Sequence, residues 1–278
     1  MNAIPEPPGY DTIRLEREGP ISWLVLNRPE RHTALSAAML RELSASLAWL
    51  AADEATHVIV IRGEGRSFCS GYDVRDEGRN PSAPGADILS DLTRLQGNIR
   101  TFLEIWDLPK PVVAAVHGHC LAGATQLCLF CDITIVAEDA TIGWPVIPLG
   151  GGYLSPLFAL SVGPKRAKQM SYVVGSEITG ETAADWGWAN YAVPAADLLD
   201  DVRAMATAIA RTPPELLRLK KAAINRVVEL SGFRTAVLLG AETDAILHES
   251  AAVKAVRQLV ADEGLKAAAT RFREGGPA

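Results

Sequence analysis

VVAAVHGHCLAGATQLCLFCD, residues 112–132, decides how the rest of the chain is read. Val112 to Val116 is a run of small or β-branched apolar residues, the pattern of a buried strand. His117, Gly118 and His119 interrupt it. Leu121-Ala122-Gly123-Ala124-Thr125 follows as a turn built almost wholly from small residues, and helical sequence runs from Gly123 to about Phe130. A strand that turns into a helix through small residues leaves bare backbone open to a ligand. The first N–H groups of a helix lack intrahelical acceptors and carry the positive end of its dipole. An oxygen that gains negative charge during a reaction would be stabilised there. Taken alone, the stretch is better read as a tight crossover packed with small residues.

Working outward, the chain alternates. Ile13 to Leu15 and Ile21 to Leu26 form a hairpin about Gly19-Pro20, and Asn27 to His32 is a polar turn. Ser36 is placed to cap a helix whose Met39, Leu40, Leu43, Leu47 and Leu50 keep helical spacing. His57 to Ile61 is a strand, and Gly65 to Asp73 a glycine-bounded loop. Arg79 to Gly85 reads as a mobile surface segment. A long helix covers Ile88 to about Trp106 with Leu89, Leu92, Leu95, Ile99, Phe102 and Leu103 on one side, and Pro109 and Pro111 end it. Beyond the central stretch, Ile133 to Ala137 and Ala140 to Gly143 are strands. Helical sequence follows Gly150-Gly151-Gly152 to about Val174; Ala183 to Trp188 is a short helix, and Ala189 to Val193 a strand. From Ala195 onward only helical pattern remains, with Pro213-Pro214 opening a new helix. The expected architecture is an α/β core over residues 1–195 and a helical region over 196–278. These last helices carry more apolar surface than a thin domain edge buries, so subunit packing is expected.

The composition narrows the function. The chain has 278 residues, 48% hydrophobic and 22% charged, as in ordinary globular proteins. A net charge of −6 argues against nucleic acid as a partner. No apolar run is long enough to span a membrane, and MNAIPEPPGYD lacks the pattern of a signal peptide. The four cysteines, Cys69, Cys120, Cys128 and Cys131, sit in apolar or small-residue contexts and are read as reduced, in a cytoplasmic protein. Cys128 and Cys131 form a CxxC, but without a second pair, and within an apolar helix, they are read as packing residues rather than metal ligands.

Four motifs in order carry a resemblance: NRPERHTAL at 27–35, RSFCSGYDV at 66–74, KPVVAAVHGHCLAGATQLCLFCDITIVAEDATIG at 110–143, and GPKRAKQMSYVVGSEITGETAADWGWANYAVP at 163–194. Together they resemble the crotonase superfamily, the enoyl-CoA hydratase/isomerase fold, over about Ile13 to Pro194. The resemblance implies a spiral of ββα units and a helical C-terminal trimerisation region. It also implies a homotrimer or dimer of trimers, and an acyl-CoA thioester ligand in which coenzyme A is part of the substrate, with no separate cofactor. It places two thioester-polarising N–H groups on Tyr72 and Gly123. It sets Ser70, Tyr72, Asp73, Val74 and Arg75 around the adenine, and the 27–35 turn near the CoA phosphates. Arg28 and Arg31 are phosphate candidates there, and for Arg31 a solvated turn arginine is an equal reading.

The sequence departs from the family where hydratases carry two glutamates. Those positions hold Gln126 and Val146 here. Neither an amide nor an isopropyl group gains and loses a proton near neutral pH. Leu149 to Leu154, where other members carry a carboxylate, has no acid either. Tyr72, His119, Gln126, Trp144 and Tyr153 remain as candidates to face the acyl chain; Trp144 and Tyr153 read best as walls of an aromatic pocket. Asp76 and Glu77 are the nearest spare carboxylates. The expected activity is acyl-CoA chemistry through an enolate or oxyanion rather than standard hydration: decarboxylation, thioester hydrolysis, C–C cleavage or an atypical isomerisation. The alternative is an acyl-CoA-binding homologue without catalysis.

Overall fold

The computed structural model describes residues 9–74, 87–144, 147–150 and 155–275. Arg75, Asp76, Glu77, the Arg79–Gly85 segment, Val146 and Tyr153 lie outside the described residues.

The chain opens with the hairpin β1 (Ile13–Glu18) and β2 (Ile21–Leu26), then α1 (Ala37–Ala52), β3 (Val58–Gly63) and α2 (Ile88–Asp107). The central stretch becomes β4 (Val112–Val116), β5 (His119–Leu121) and α3 (Gly123–Cys128). Next come β6 (Ile133–Ala137), β7 (Thr141–Gly143), α4 (Ser155–Ser161), α5 (Pro164–Tyr172), β8 (Glu177–Thr179), α6 (Gly180–Asp185) and β9 (Tyr191–Val193). Five helices close the chain: α7 (Leu198–Ala210), α8 (Pro214–Leu230), α9 (Phe233–His248), α10 (Ala251–Glu263) and α11 (Leu265–Arg273).

Two sheets result. The larger has the order β1-β2-β3-β4-β6-β9, parallel except for the first hairpin. All residues of β2 and β4 are buried, as expected of strands covered on both faces; α7 packs across β2, β3, β4 and β6. The smaller sheet is β5-β7-β8, and single bridges Cys69–Cys120 and Leu35–Tyr72 carry the same ladder back into the earlier loops. The stretches that begin at β3, β4 and β6 each lay one strand on the large sheet, one short extended segment on or beside the small one, then a helix. This is the expected spiral of ββα units with helices gathered at the C-terminus.

Local signals behave as their chemistry requires. Ser36 caps α1, its Oγ accepting from the Met39 N–H at 3.1 Å. Asp87 and Ser90 form a reciprocal box at the start of α2. Four sequence expectations are corrected. The helix after Gly123 stops at Cys128, because the N–H groups of Leu129, Phe130 and Cys131 reach only three residues back, so Cys131 lies beyond it. His119 to Leu121 is a strand, since it pairs with β7. The helix expected to reach Val174 is two helices, parted at Gly163 with φ 79°. The short strand β8 was not anticipated; it exists through pairing with β7.

The C-terminal helices are tied to the core by a buried lysine. Lys221 of α8 donates to Ile105 O at 3.0 Å, Lys110 O at 3.2 Å and Asp132 Oδ2 at 2.8 Å. Burial pushes the Asp132 carboxyl upward and Lys221 offsets this only in part, so the pair adds little net stability over an apolar one. Removing one partner is different. In Asp132→Ala a lysine whose side chain is 7% exposed loses its counter-charge, and the unfolding free energy should fall by about 2–3 kcal/mol, below the usual cost of breaking a buried pair because the Asp132 side chain keeps an edge toward water. Urea unfolding of the two proteins checks this; equal midpoints would contradict it.

Candidate active site

Two loops meet beside β5, at the edge of the small sheet. One is the segment at 66–74, the other the turn into α3. Gly71 has φ 88°, and a Cβ placed on it would stand 2.7 Å from Leu121 O, 2.9 Å from Ala122 Cβ and 3.1 Å from Gly123 N. Only glycine allows the Tyr72 backbone this close to the Gly123 amide. The turn itself is held in a costly shape: Ala122 has φ 50°, a region L-residues avoid. Its N–H donates to Gly143 O at 2.9 Å, which fastens the turn to the end of β7 and brings Trp144 alongside.

The surroundings are aromatic and closed. The Tyr72 ring lies over Gly123, whose added Cβ would meet Tyr72 Cε2 at 2.7 Å and Cδ2 at 2.9 Å. That ring stacks on Phe102 of α2, centroids 6.4 Å apart at 18°, and Phe102 in turn meets Phe130 at 5.6 Å. Trp144 is buried and tilts against Phe158 at 5.1 Å. Within this apolar region some polar atoms have no protein partner among the described residues, namely Gln126 Oε1, Trp144 Nε1 and, on α2, Asn98 Nδ2. Buried polar groups are normally paired, so these mark places where a ligand or water has something to offer.

Toward the surface the site is stitched by charge. Asp73 is buried and its two carboxylate oxygens each accept from an arginine, Arg28 and Arg31, both at 3.0 Å. Arg28 also donates to Ala34 O at 2.7 Å, while Arg31 keeps a third of its side chain in solvent. The Ser70 N–H donates to His32 O, and the Asp73 N–H to Leu35 O. The 27–35 turn and the 66–74 loop thus form one unit. Ser70 is half-buried beside it and Val74 is exposed.

His119 is exposed on β5. Its Nδ1 lies 3.3 Å from Ser67 Oγ, which also lies 3.0 Å from His32 Nδ1, and the two rings meet edge-on. Burial, with Arg66 and His119 nearby, holds the His32 imidazole below its ordinary value. The four cysteines are buried and free. Burial pushes the Cys69 thiol up to about 12 and raises the other three as well, so none is a thiolate at neutral pH. Among the described residues no three His, Cys, Asp or Glu side chains converge to hold a metal.

Some features of the site were not legible as such in the sequence. Gly71 stands beside Tyr72 in the motif, but its part in the approach depends on a contact fifty residues along the chain. Asn98 occupies the buried face of α2 among Leu95, Ile99 and Phe102, a polar residue on an apolar stripe. At the far end of the same helix Asp91 accepts from His248 Nδ1 at 2.5 Å and pairs with Arg94, and Asp244 lies 3.5 Å from His248 Nε2. Burial raises the Asp91 carboxyl, yet the His248 and Arg94 hydrogen bonds outweigh it and leave it below the ordinary value.

Comparison with known proteins identifies the family. The family model described as enoyl-CoA hydratase/isomerase matches residues 16–268. A hydroxycinnamoyl-CoA hydratase-lyase from Pseudomonas fluorescens is 29% identical over 266 residues, covering 92% of this chain and 95% of that one. A probable enoyl-CoA hydratase from Mycobacterium tuberculosis is 31% identical over 232 residues, 80% of this chain and 84% of that one. A crystal structure of an enoyl-CoA hydratase/isomerase from Xanthobacter autotrophicus superposes with a TM-score of 0.89 at 32% identity, covering 97% of this chain and all of that one. A family model that spans nearly the whole chain, and a fold that superposes throughout, place this protein in the enoyl-CoA hydratase/isomerase family.

Proposed function

We propose that the protein binds an acyl-CoA thioester with its carbonyl oxygen between the backbone N–H groups of Tyr72 and Gly123, and uses them to stabilise an enolate or tetrahedral oxyanion. The observation that carries this is the approach at Gly71, which brings those two backbone segments together over bare glycine. Donors fixed in place before the reaction stabilise charge as it develops, at little reorganisation cost. The aromatic surround of Tyr72, Phe102 and Trp144 excludes water from that charge and so strengthens each hydrogen bond.

The same reading takes Gln126 and Val146 as occupants of the two positions where hydratases of the family hold glutamates. Gln126 is 2% exposed and its amide does not take up a proton near neutral pH, so standard hydration is slow and the chemistry is of another kind within the family's range, such as decarboxylation, hydrolysis or C–C cleavage. The Arg28–Asp73–Arg31 unit, with Ser70, Val74 and Arg75, forms the nucleotide side; Arg31, already paired with Asp73, keeps guanidinium edge in solvent for a phosphate. Coenzyme A enters as part of the substrate and the reading asks for no further cofactor. Exposed Leu219, Ile224, Val227 and Leu230 on α8 with Leu238, Leu239 and Ile246 on α9 fit burial between subunits in a homotrimer or a dimer of trimers. Among the described residues no helix is long and apolar enough to cross a membrane, and free cysteines suit a reducing compartment, the cytoplasm.

Infrared spectroscopy of a bound acyl-CoA labelled with ¹³C at the thioester carbonyl tests the core of this. The stretch should move to lower frequency on binding than in water. A bound ester whose carbonyl frequency stays at its value in water would overturn the assignment.

A further inference from the structure

The seam between α2 and α9 holds a polar group that nothing in the thioester site uses. The two helices run antiparallel. Trp106 stacks on Phe233, centroids 4.2 Å apart, and Asp91 bonds His248. On each helix those contact residues are fifteen positions apart, so the register between them is fixed. It sets Phe102 opposite Val237, Asn98 opposite Ala241, and Leu95 opposite Asp244. Asn98 is 8% exposed, and its Nδ2 has no partner among the described residues. Facing it, α9 offers Gly240 and Ala241, both small and buried. An apolar residue at 98 would leave no polar atom in such a seam; an amide donor left unpaired in it is unfavourable unless something accepts its hydrogen bond.

The seam is continuous with the site. Phe102, one turn along the same face, stacks on the Tyr72 ring that covers Gly123, and Asn98 stands roughly 6 Å further along the helix axis. The seam ends at Asp91, His248 and Asp244, where Arg94 and Arg257 also contribute charge. A charged end is a poor neighbour for a plain hydrocarbon tail.

We propose that this seam receives the far end of the acyl group, and that the acyl-CoA taken by the protein carries a hydroxyl there, accepting from Asn98 Nδ2. The inference rests on the acyl-CoA reading of the site and adds the class of acyl group. A site built to hydrogen-bond a substrate oxygen discriminates strongly against the analogue that lacks it, because the buried donor is then left bare.

The test uses the full chain and pairs of esters matched in size: 4-hydroxycinnamoyl-CoA against 4-methylcinnamoyl-CoA, and 8-hydroxyoctanoyl-CoA against nonanoyl-CoA, with Kd from calorimetry. The hydroxylated member should bind at least about tenfold tighter in one pair or both. In Asn98→Leu that preference should collapse or reverse. Asn98→Ala, which cannot overfill the seam, should lose it too, with circular dichroism confirming the fold. Equal affinities in both pairs, or a preference that survives both variants, would overturn the proposal and leave the acyl-CoA reading standing. Failure of every ester to bind would overturn the two together.

Discussion

Gly71→Ala is expected to reduce turnover of any CoA ester the protein uses by about a hundredfold or more, the scale seen when a donor to a developing oxyanion is lost, and to abolish the infrared shift of the bound thioester carbonyl. Two costs combine at this position. A φ of 88° disfavours alanine by about 1–2 kcal/mol. The added methyl group would also press on Leu121 O at 2.7 Å, Ala122 Cβ at 2.9 Å and Gly123 N at 3.1 Å. Two of these are backbone atoms of a turn already held at positive φ, so neither yields by a change of rotamer. The two loops must part, and the proposed convergence of the Tyr72 and Gly123 amides on one oxygen is lost. Gly232→Ala is the control. It has nearly the same φ, 89°, and nothing within 4 Å of an added Cβ, so it carries the conformational cost without the collision and should keep the carbonyl shift. A Gly71→Ala protein with the wild-type shift and rate would show that the approach of these loops is not what polarises the ester.

The second large effect is a gain. Restoring carboxylates at both positions, in Gln126→Glu/Val146→Glu, should raise crotonyl-CoA hydration at least about a hundredfold over the wild-type chain, since a positioned acid or base contributes about 10²–10⁴ in rate. Gln126 is nearly isosteric with glutamate, and its Oε1 has no partner among the described residues, so the substitution removes no hydrogen bond of that oxygen. Gln126→Glu alone should gain much less, because hydration needs one group to take the proton of water and another to deliver one to carbon. A double variant that binds crotonyl-CoA but hydrates it no faster than wild type would show that these two positions are not where the missing protons are handled.

How far the sequence could be read depended on the range of the contacts involved. β4 and α2 were legible because their apolar patterns are strong and local: five buried residues in a row in Val112–Val116, and Leu95, Ile99 and Phe102 at helical spacing. The alternation of strand and helix then led to an α/β core with a helical C-terminal region, and the resemblance to the family implied the spiral of ββα units. β8 was not legible, because a three-residue strand has no pattern of its own and is created by pairing with β7. The turn into α3 was visible as a run of small residues, yet the need for glycine at 71 was not, since it comes from the contacts of Leu121, Ala122 and Gly123 with position 71. Arg28 and Arg31 were read as phosphate candidates, Arg31 equally as a solvated turn arginine; their pairing with Asp73, more than forty residues away, was not legible. Asn98 was hidden for the opposite reason. Its neighbours made the helix face look uniformly apolar, and the significance of one amide appears only when α9 places Gly240 and Ala241 against it.

The most direct test of the central claim is crotonyl-CoA turnover, followed as loss of the conjugated thioester absorbance, with a CoA-ester binding measurement on the same sample. Binding of CoA esters without rapid hydration is expected, since the proposed oxyanion donors are the backbone amides of Tyr72 and Gly123, while neither Gln126 nor Val146 gains and loses a proton near neutral pH. Hydration at the speed of a working hydratase would contradict it and require another residue to act as the base; absence of any CoA-ester binding would contradict it at the level of the ligand itself.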